Sequence, residues 1–226
     1  MNRSSSLDLG LYLVTDPDLI GDRSLSDVVD QASASGVGLV QLRDKGAKAR
    51  DLLTLAHALK ALLEPKGVPL VVNDRVDVAA AAGLGCHIGQ TDLPADAARA
   101  ILGEEAIIGL SLDRTEQAHT ADPACLDYVA HGPFSVTGTK ADAGKPVGID
   151  GIARVRALTT LPLVAIGGID VTNAADAIRS GADGVAVISA IMAAQDPRAA
   201  ASVLRDVVDR TLNERNHRSE RRGAVG

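Results

Sequence analysis

Aromatic side chains are almost missing: the 226-residue sequence has no Trp, one Phe and two Tyr. Proteins that bind single-stranded nucleic acid stack bases on aromatic rings, so this scarcity counts against such a role. A surplus of positive charge is missing too. The formal net charge is −6, which argues against general polyanion binding and confines any phosphate chemistry to local clusters of cations. Cysteine is limited to Cys86 and Cys125, too few for a disulfide scaffold and without metal-ligand spacing. Their strand-like contexts read as buried, reduced thiols of a cytosolic protein. No run approaches the ~20 apolar residues of a membrane span, and MNRSSSLDLG at the N-terminus lacks the apolar centre of a signal peptide. The expectation is a cytoplasmic protein with neither nucleic acid nor membrane as a partner. Ser/His/Asp order, Cys-x-x-Cys pairs and Walker loops are likewise absent.

What is abundant is aliphatic. Short runs of Val, Leu and Ile alternate with Ala/Leu-rich stretches of helical period. Candidate strands fall at 10–15, 37–42, 69–73, 85–89, 106–111, 126–131, 161–166 and 184–188. Helical segments lie near 25–35, 49–64, 76–82, 95–102, 114–120, 150–158, 172–180 and 197–212, with Ser24, Asp150 and Thr172 as candidate caps. Continuous apolar strands separated by helices imply a covered parallel sheet, and eight repeats suffice to close a single-domain (β/α)8 TIM barrel. An open doubly wound sheet is the alternative, but Val14-Thr15-Asp16-Pro17 stands where its glycine-rich turn would be. Residues 1–8 read as a flexible N-terminus and 9–212 as the barrel. Residues 213–226 carry four Arg and two Glu with few apolar anchors, and read as a disordered tail whose removal should leave folding nearly unchanged.

Barrels of this kind carry their active sites at the C-terminal ends of the strands. Here each strand runs apolar and then ends polar. Gln41, Arg43 and Lys45 occupy alternate positions after strand 2 and so share one face of an extended chain. Asn73 and Asp74 end strand 3, Asp92 follows strand 4, and Ser111 ends strand 5. Such a rim fits a diphosphate with Mg2+: Arg43 offers a planar fork, Lys45 a point charge, and Asp74 and Asp92 two hard oxygen ligands. Taken singly, Asp92 could instead cap the next helix ahead of Pro94, and Asp74 could pair with Arg75. Gly167-Gly168-Ile169 and Ile188-Ser189 follow strands 7 and 8, where barrels often bind phosphate through backbone N–H groups. The long loop after strand 6 adds Thr137, Thr139 and Lys140. His57, His119 and His217 read as solvent-facing. His87 and His131 lie in strands, within reach of the barrel interior, and read as hydrogen-bonded core residues without a catalytic role.

YLVTD at 12–16, QLRDK at 41–45, VNDR at 72–75, HIGQTDLP at 87–94, GLS at 109–111, TGTK at 137–140, AIGGI at 165–169 and VAVISAI at 185–191 closely resemble thiamine phosphate synthases, in order and over roughly residues 10–195. The resemblance implies a (β/α)8 barrel that condenses 4-amino-2-methyl-5-hydroxymethylpyrimidine diphosphate with thiazole phosphate, giving thiamine phosphate and diphosphate with Mg2+. It implies that Gln41, Arg43, Lys45 and Asn73 hold the pyrimidine diphosphate, with Ser111 and Lys140 completing that pocket. Asp74 and Asp92 would bind the metal. Thr137, Thr139, Gly168, Ile188 and Ser189 would take the thiazole phosphate. Arg43, Lys45, Ser111 and Lys140 would be the catalytic set, and the reading leaves room for a homo-oligomer. Pro133-Phe134-Ser135-Val136 departs from the family's commoner pattern, which bears on the shape of the loop. Two rival functions are a thiazole tautomerase-like isomerase and a non-catalytic phosphometabolite-binding barrel; neither needs the diphosphate and metal set of Arg43, Lys45, Asp74, Asp92 and Lys140.

Overall fold

Each short apolar run becomes one strand of a parallel sheet: β1 Leu11–Val14, β2 Leu39–Leu42, β3 Leu70–Asn73, β4 Gly85–Ile88, β5 Ile108–Leu112, β6 Tyr128–His131, β7 Leu163–Ile166 and β8 Gly184–Val187. This is a computed structural model that describes residues 7–137 and 144–223, the side chains of 219 and 221–223 excepted. The strands pair in chain order, and β1 also pairs with β8 (Leu11 opposite Val185), so the sheet closes into the expected barrel.

Alternation along the strands divides the interior from the outer layer. Tyr12, Val14, Leu39, Val71, Tyr128, Ala130, Val164 and Ala186 pack together inside the barrel. The intervening residues, among them Leu11, Leu13, Val40, Leu42, Val72, Ile88 and Leu163, pack outward against the helices. Those helices are α1 Leu25–Ser33, α2 Ala49–Leu63, α3 Val76–Ala82, α4 Ala95–Leu102, α5 Gly148–Leu158, α6 Ala174–Arg179, α7 Ser189–Met192 and α8 Pro197–Gly223. Between β5 and β6 the expected helix is a 3-10 turn, Thr115–Thr120, held at its start by Gln117 Oε1, which accepts from the N–H groups of Asp113 and Arg114. Of the three expected caps, Ser24 stands at the N-cap of α1 without a side-chain cap bond. Asp150 lies inside the first turn of α5, and the N-cap of α6 is Asn173 rather than Thr172.

The chain ends hold together at the end of the barrel opposite the rim. Asp8 accepts from Arg205 Nη1 at 2.5 Å, and the same guanidinium reaches Gly36 O at 3.0 Å. Leu9 is buried in the interior cluster above them. Of the N-terminus expected over 1–8, Leu7 and Asp8 are placed, and Asp8 is ion-paired; residues 1–6 lie outside the described residues.

Helix α8 continues to Gly223, because a charged side chain anchors what apolar ones do not. Arg215 donates from Nη1 to Ala182 O at 2.6 Å and to Ile178 O at 3.2 Å, and from Nη2 to Asp183 Oδ1 at 3.0 Å. A guanidinium thereby satisfies carbonyls at and beyond the end of α6, a favourable place for a cation. Truncation after Leu212 is expected to lower Tm by about 3–6 °C, the effect of losing about 1–2 kcal/mol of partly buried charged hydrogen bonding. Arg215→Ala should reproduce most of that loss in thermal unfolding, and an unchanged Tm in both would return the segment to the status of a free tail.

Candidate active site

The alternation that fills the interior with Leu39 carries Gln41 and Arg43 up the same face of β2 to the rim. There the end of β1 secures the end of β2. Thr15 Oγ1 accepts from Arg43 N at 2.9 Å and donates to Arg43 O at 3.0 Å. The Arg43 guanidinium lies 3.5 Å from Asp16 Oδ2, and both side chains are largely buried. A cavity of about 270 Å3 opens above them, and Gln41, Arg43, Lys45, Asn73, Asp74, Asp92 and Ser111 all line it. The structure thus brings together seven of the residues singled out in the sequence.

Asp74 has φ 62°, the left-handed region. Asp tolerates that conformation better than most residues, and it turns the chain from β3 into α3 while the Asp74 N–H remains bonded to His87 O at 2.8 Å. Asp92 accepts from Gly89 N at 2.7 Å. Burial, followed by the hydrogen-bonded Asp92 carboxyl and its charge, pushes Asp74 up to about 6, against the opposing pull of Asn73 and Lys45. Neither of the ordinary alternatives for these carboxyls holds. Arg75 pairs with Asp77, Nη2 to Oδ2 at 2.5 Å, and α4 has Pro94 at its N-cap without a side-chain cap bond. Among the described residues no group of three or more His, Cys, Asp or Glu is arranged to hold a metal. The rim offers a carboxyl pair.

A second cavity, about 480 Å3, is lined by Thr137, Gly167, Gly168, Ile169, Ile188 and Ser189 among others. Its glycines are required by geometry. Gly168 has φ 64°, and a Cβ there would lie 2.5 Å from Val136 O and 2.8 Å from Ser135 O. Asn173 Nδ2 holds Gly168 O at 2.8 Å. The short helix α7 starts at Ser189, and Arg23 clamps its far end through Nη1 to Ala194 O and Nη2 to Met192 O, both at 2.5 Å. Ser111, Asp113, Ala130 and Ile166 line both cavities, which therefore abut. Thr139 and Lys140 lie outside the described residues.

Three residues of the site escaped the sequence reading as a group. Tyr12, Tyr128 and His87 form a hydrogen-bonded chain across the interior, from Gln41 on β2 to Ser111 on β5. Strand parity was the available signal, since Tyr12 precedes Val14 and Tyr128 precedes Ala130 on inward-facing positions. His87 is the hydrogen-bonded core histidine expected. His131 is not inside the barrel: it follows Val129 on the outward face, its Nδ1 lies 2.8 Å from Leu112 O, and its buried Nε2 has no hydrogen-bond partner among the described residues.

A family model described as thiamine monophosphate synthase matches residues 11–191. The thiamine-phosphate synthase of Azorhizobium caulinodans is 51% identical over 203 residues, covering 89% of this chain and 96% of the relative. That of Roseiflexus sp. is 46% identical over 206 residues, 91% of this chain and 87% of the relative. Among solved structures, the thiamine phosphate pyrophosphorylase from Pyrococcus furiosus superposes with TM-score 0.82 at 34% identity, covering 91% of this chain and 98% of that one. An orotidine 5'-phosphate decarboxylase from Pyrococcus horikoshii, covering 87% of this chain and 99% of its own, has TM-score 0.62 at 15% identity and shares the fold alone.

The carboxyl pair has a consequence for stability in the presence of a chelator. Asp74 is raised from 3.8 to about 6, so its contribution is fully present below its unfolded value and is lost as pH rises through about 6. The wild-type unfolding free energy should therefore decline across that window, by an amount on the order of 1 kcal/mol once solvent screening is counted, and Tm should fall with it. Asp92→Asn keeps an oxygen for the Gly89 N–H and removes the repulsion. In chelator this variant should show a smaller decline, the part due to burial remaining, and exceed wild-type stability above pH 6; a decline of the same size in both proteins would contradict the coupling.

Proposed function

The chain belongs to the thiamine monophosphate synthase family, transferases of thiamine biosynthesis, and we propose that it condenses 4-amino-2-methyl-5-hydroxymethylpyrimidine diphosphate with thiazole phosphate through dissociative loss of diphosphate. The observation that carries this reading is the pair of abutting cavities, one rimmed by cations and carboxyls, the other floored by glycines and the start of α7. Two phosphorylated substrates that must meet at one carbon need two anion sites with a shared wall. Ser111, Ala130 and Ile166 form such a wall.

The electron-rich aminopyrimidine can stabilise positive charge at its exocyclic methylene, so diphosphate can depart before the thiazole nitrogen attacks. The residues then have little proton transfer to perform and much charge to stabilise. Arg43, fixed by Thr15 and Asp16, presents its guanidinium to the departing group, and Lys45 adds a mobile point charge. Asn73 and Gln41 orient the substrate beneath them. Lys140 completes the set by resemblance. Thr137, Thr139, Gly168, Ile188 and Ser189 hold the thiazole phosphate, with Gly168 permitting close approach of the backbone to the anion.

Asp74 and Asp92 are the residues that would hold Mg2+. They fit it, because two oxygen ligands held against each other at the cost of a raised carboxyl pKa are relieved by a hard divalent cation. When bound, the ion would neutralise negative charge on the diphosphate. A tautomerase, which isomerises one substrate, has no use for this half of the rim.

Diphosphate release measured with each substrate alone and with both together separates the readings. Release that depends on thiazole phosphate supports the synthase, and its absence under all conditions would remove it. Arg43→Ala should mainly raise KM for the pyrimidine diphosphate and Ser189→Ala mainly KM for thiazole phosphate; equal effects on one KM would refute the division of the rim. Asp74→Asn and Asp92→Asn should each lower kcat by about a hundredfold, with partial rescue by added Mg2+ that the double variant lacks. A wild-type rate indifferent to thorough chelation would end the metal assignment.

A further inference from the structure

Deep in the barrel, five polar side chains from five strands form one hydrogen-bonded chain. Gln41 Nε2 donates to the Tyr12 hydroxyl. The Tyr12 and Tyr128 hydroxyls lie 2.8 Å apart, Tyr128 Oη lies 2.9 Å from His87 Nδ1, and His87 Nε2 lies 2.9 Å from Ser111 Oγ. Gln41, Tyr12, Tyr128 and His87 are all buried. The rings are tightly arranged: Tyr12 meets Tyr128 edge-on at 5.8 Å, and Tyr128 stacks on His87 at 5.5 Å. Gly109, paired with Tyr128 across β5 and β6, leaves the space, since a Cβ there would collide with the hydroxyl end of the tyrosine ring.

Proton counting makes this chain directional. A phenol has one proton to donate, and a neutral imidazole has one N–H and one bare nitrogen. With the Gln41 N–H on Tyr12, every proton of the chain finds an acceptor within it only in one order: the Tyr12 proton passes to Tyr128, the Tyr128 proton to His87 Nδ1, and the imidazole proton, left on Nε2, to Ser111 Oγ. Burial holds both phenols protonated well above the ordinary tyrosine range, so neither drops its proton under working conditions. The ends of the chain are then fixed: the Gln41 amide oxygen and the Ser111 hydroxyl proton remain for the cavity that both residues line. Reversing every bond would exchange these roles, offering a donor at Gln41 and an acceptor at Ser111.

We propose that Tyr12, Tyr128 and His87 are positioning residues that lock Gln41 as a hydrogen-bond acceptor and Ser111 as a donor, so that the site selects a heterocycle edge presenting an amino group beside a ring nitrogen. The identity of that heterocycle as the aminopyrimidine rests on the function proposed above; the polarity of the relay does not. A 4-oxo analogue of the pyrimidine diphosphate presents the opposite order, a carbonyl beside a ring N–H, and leaves both protein groups mismatched in a buried setting. Discrimination against it of about a hundredfold or more in kcat/KM is expected, the scale of leaving polar groups of a built site unpaired.

Two measurements test the proposal. In the full chain labelled with 15N, long-range proton–nitrogen correlation of the His87 ring at neutral pH should find Nε2 protonated and Nδ1 bare, with no substrate present. An Nδ1–H tautomer or an imidazolium would overturn the relay, whatever the enzyme's reaction. Then Tyr128→Phe and Tyr12→Phe, which keep the rings and remove one link each, should shrink the amino-to-oxo discrimination by about tenfold while KM for thiazole phosphate stays within about twofold. Unchanged discrimination, even with lower overall activity, would mean that the tyrosines serve packing alone and would also overturn it. Should both variants fail to fold, the wild-type tautomer still decides. A wild type inactive on both pyrimidines would count against the proposed function and leave the tautomer result to judge the relay.

Discussion

Pairing of β8 with β1 is the constraint on which the site depends. A parallel sheet left open would splay its strand ends along an edge; closed, it gathers all eight C-terminal ends around one mouth. Closure also fixes which residues face inward, because a one-residue slip in any strand would exchange its interior set for its outer set. Gln41 and Arg43 face the mouth for the same reason that Leu39 faces the interior.

That geometry creates a conflict inside the barrel. Much of the interior is aliphatic, with Leu39, Val71 and Val164, but it must be polar where it meets ligand. Tyr12, Tyr128 and His87 lie between the two. Their rings pack as apolar bodies while their polar atoms are bonded to one another and to the rim, so none of the three leaves a donor stranded. At the carboxyls the structure tolerates the opposite. Asp74, in a left-handed backbone turn, carries a carboxyl pushed up by its burial and by the neighbouring Asp92. Unfavourable local arrangements of this type concentrate where a ligand is to bind.

Much of this was legible in the residues. All eight strands were placed by their apolar runs, since a strand buried on both faces needs no alternation to be noticed. The polar endings of strands 2 to 5 located the first cavity, and the Gly167-Gly168 and Ile188-Ser189 edges located the second. What failed was decided by tertiary partners. Helix α7 continues directly from β8 with no apolar period of its own and is held by the distant Arg23. The continuation of α8 past Leu212 goes with Arg215, which bonds carbonyls at and beyond the end of α6, a contact composition does not express. The relay required counting side-chain parity on six-residue windows and asking where each proton went. His131, one strand position from the interior, shows how little separates the two outcomes.

The sealed end of the barrel has a bearing on molecular traffic. With Leu9 buried in the interior cluster and Asp8 tied to Arg205 beneath it, the described residues plug the rear of the barrel. Everything that occupies either cavity arrives and departs by the same mouth, over the same rim of loops. Adjacent compartments with a common doorway behave as a queue: an occupant nearer the opening delays exchange behind it. The architecture therefore favours an ordered sequence of arrivals and departures over independent exchange, whatever the chemistry at the wall between them.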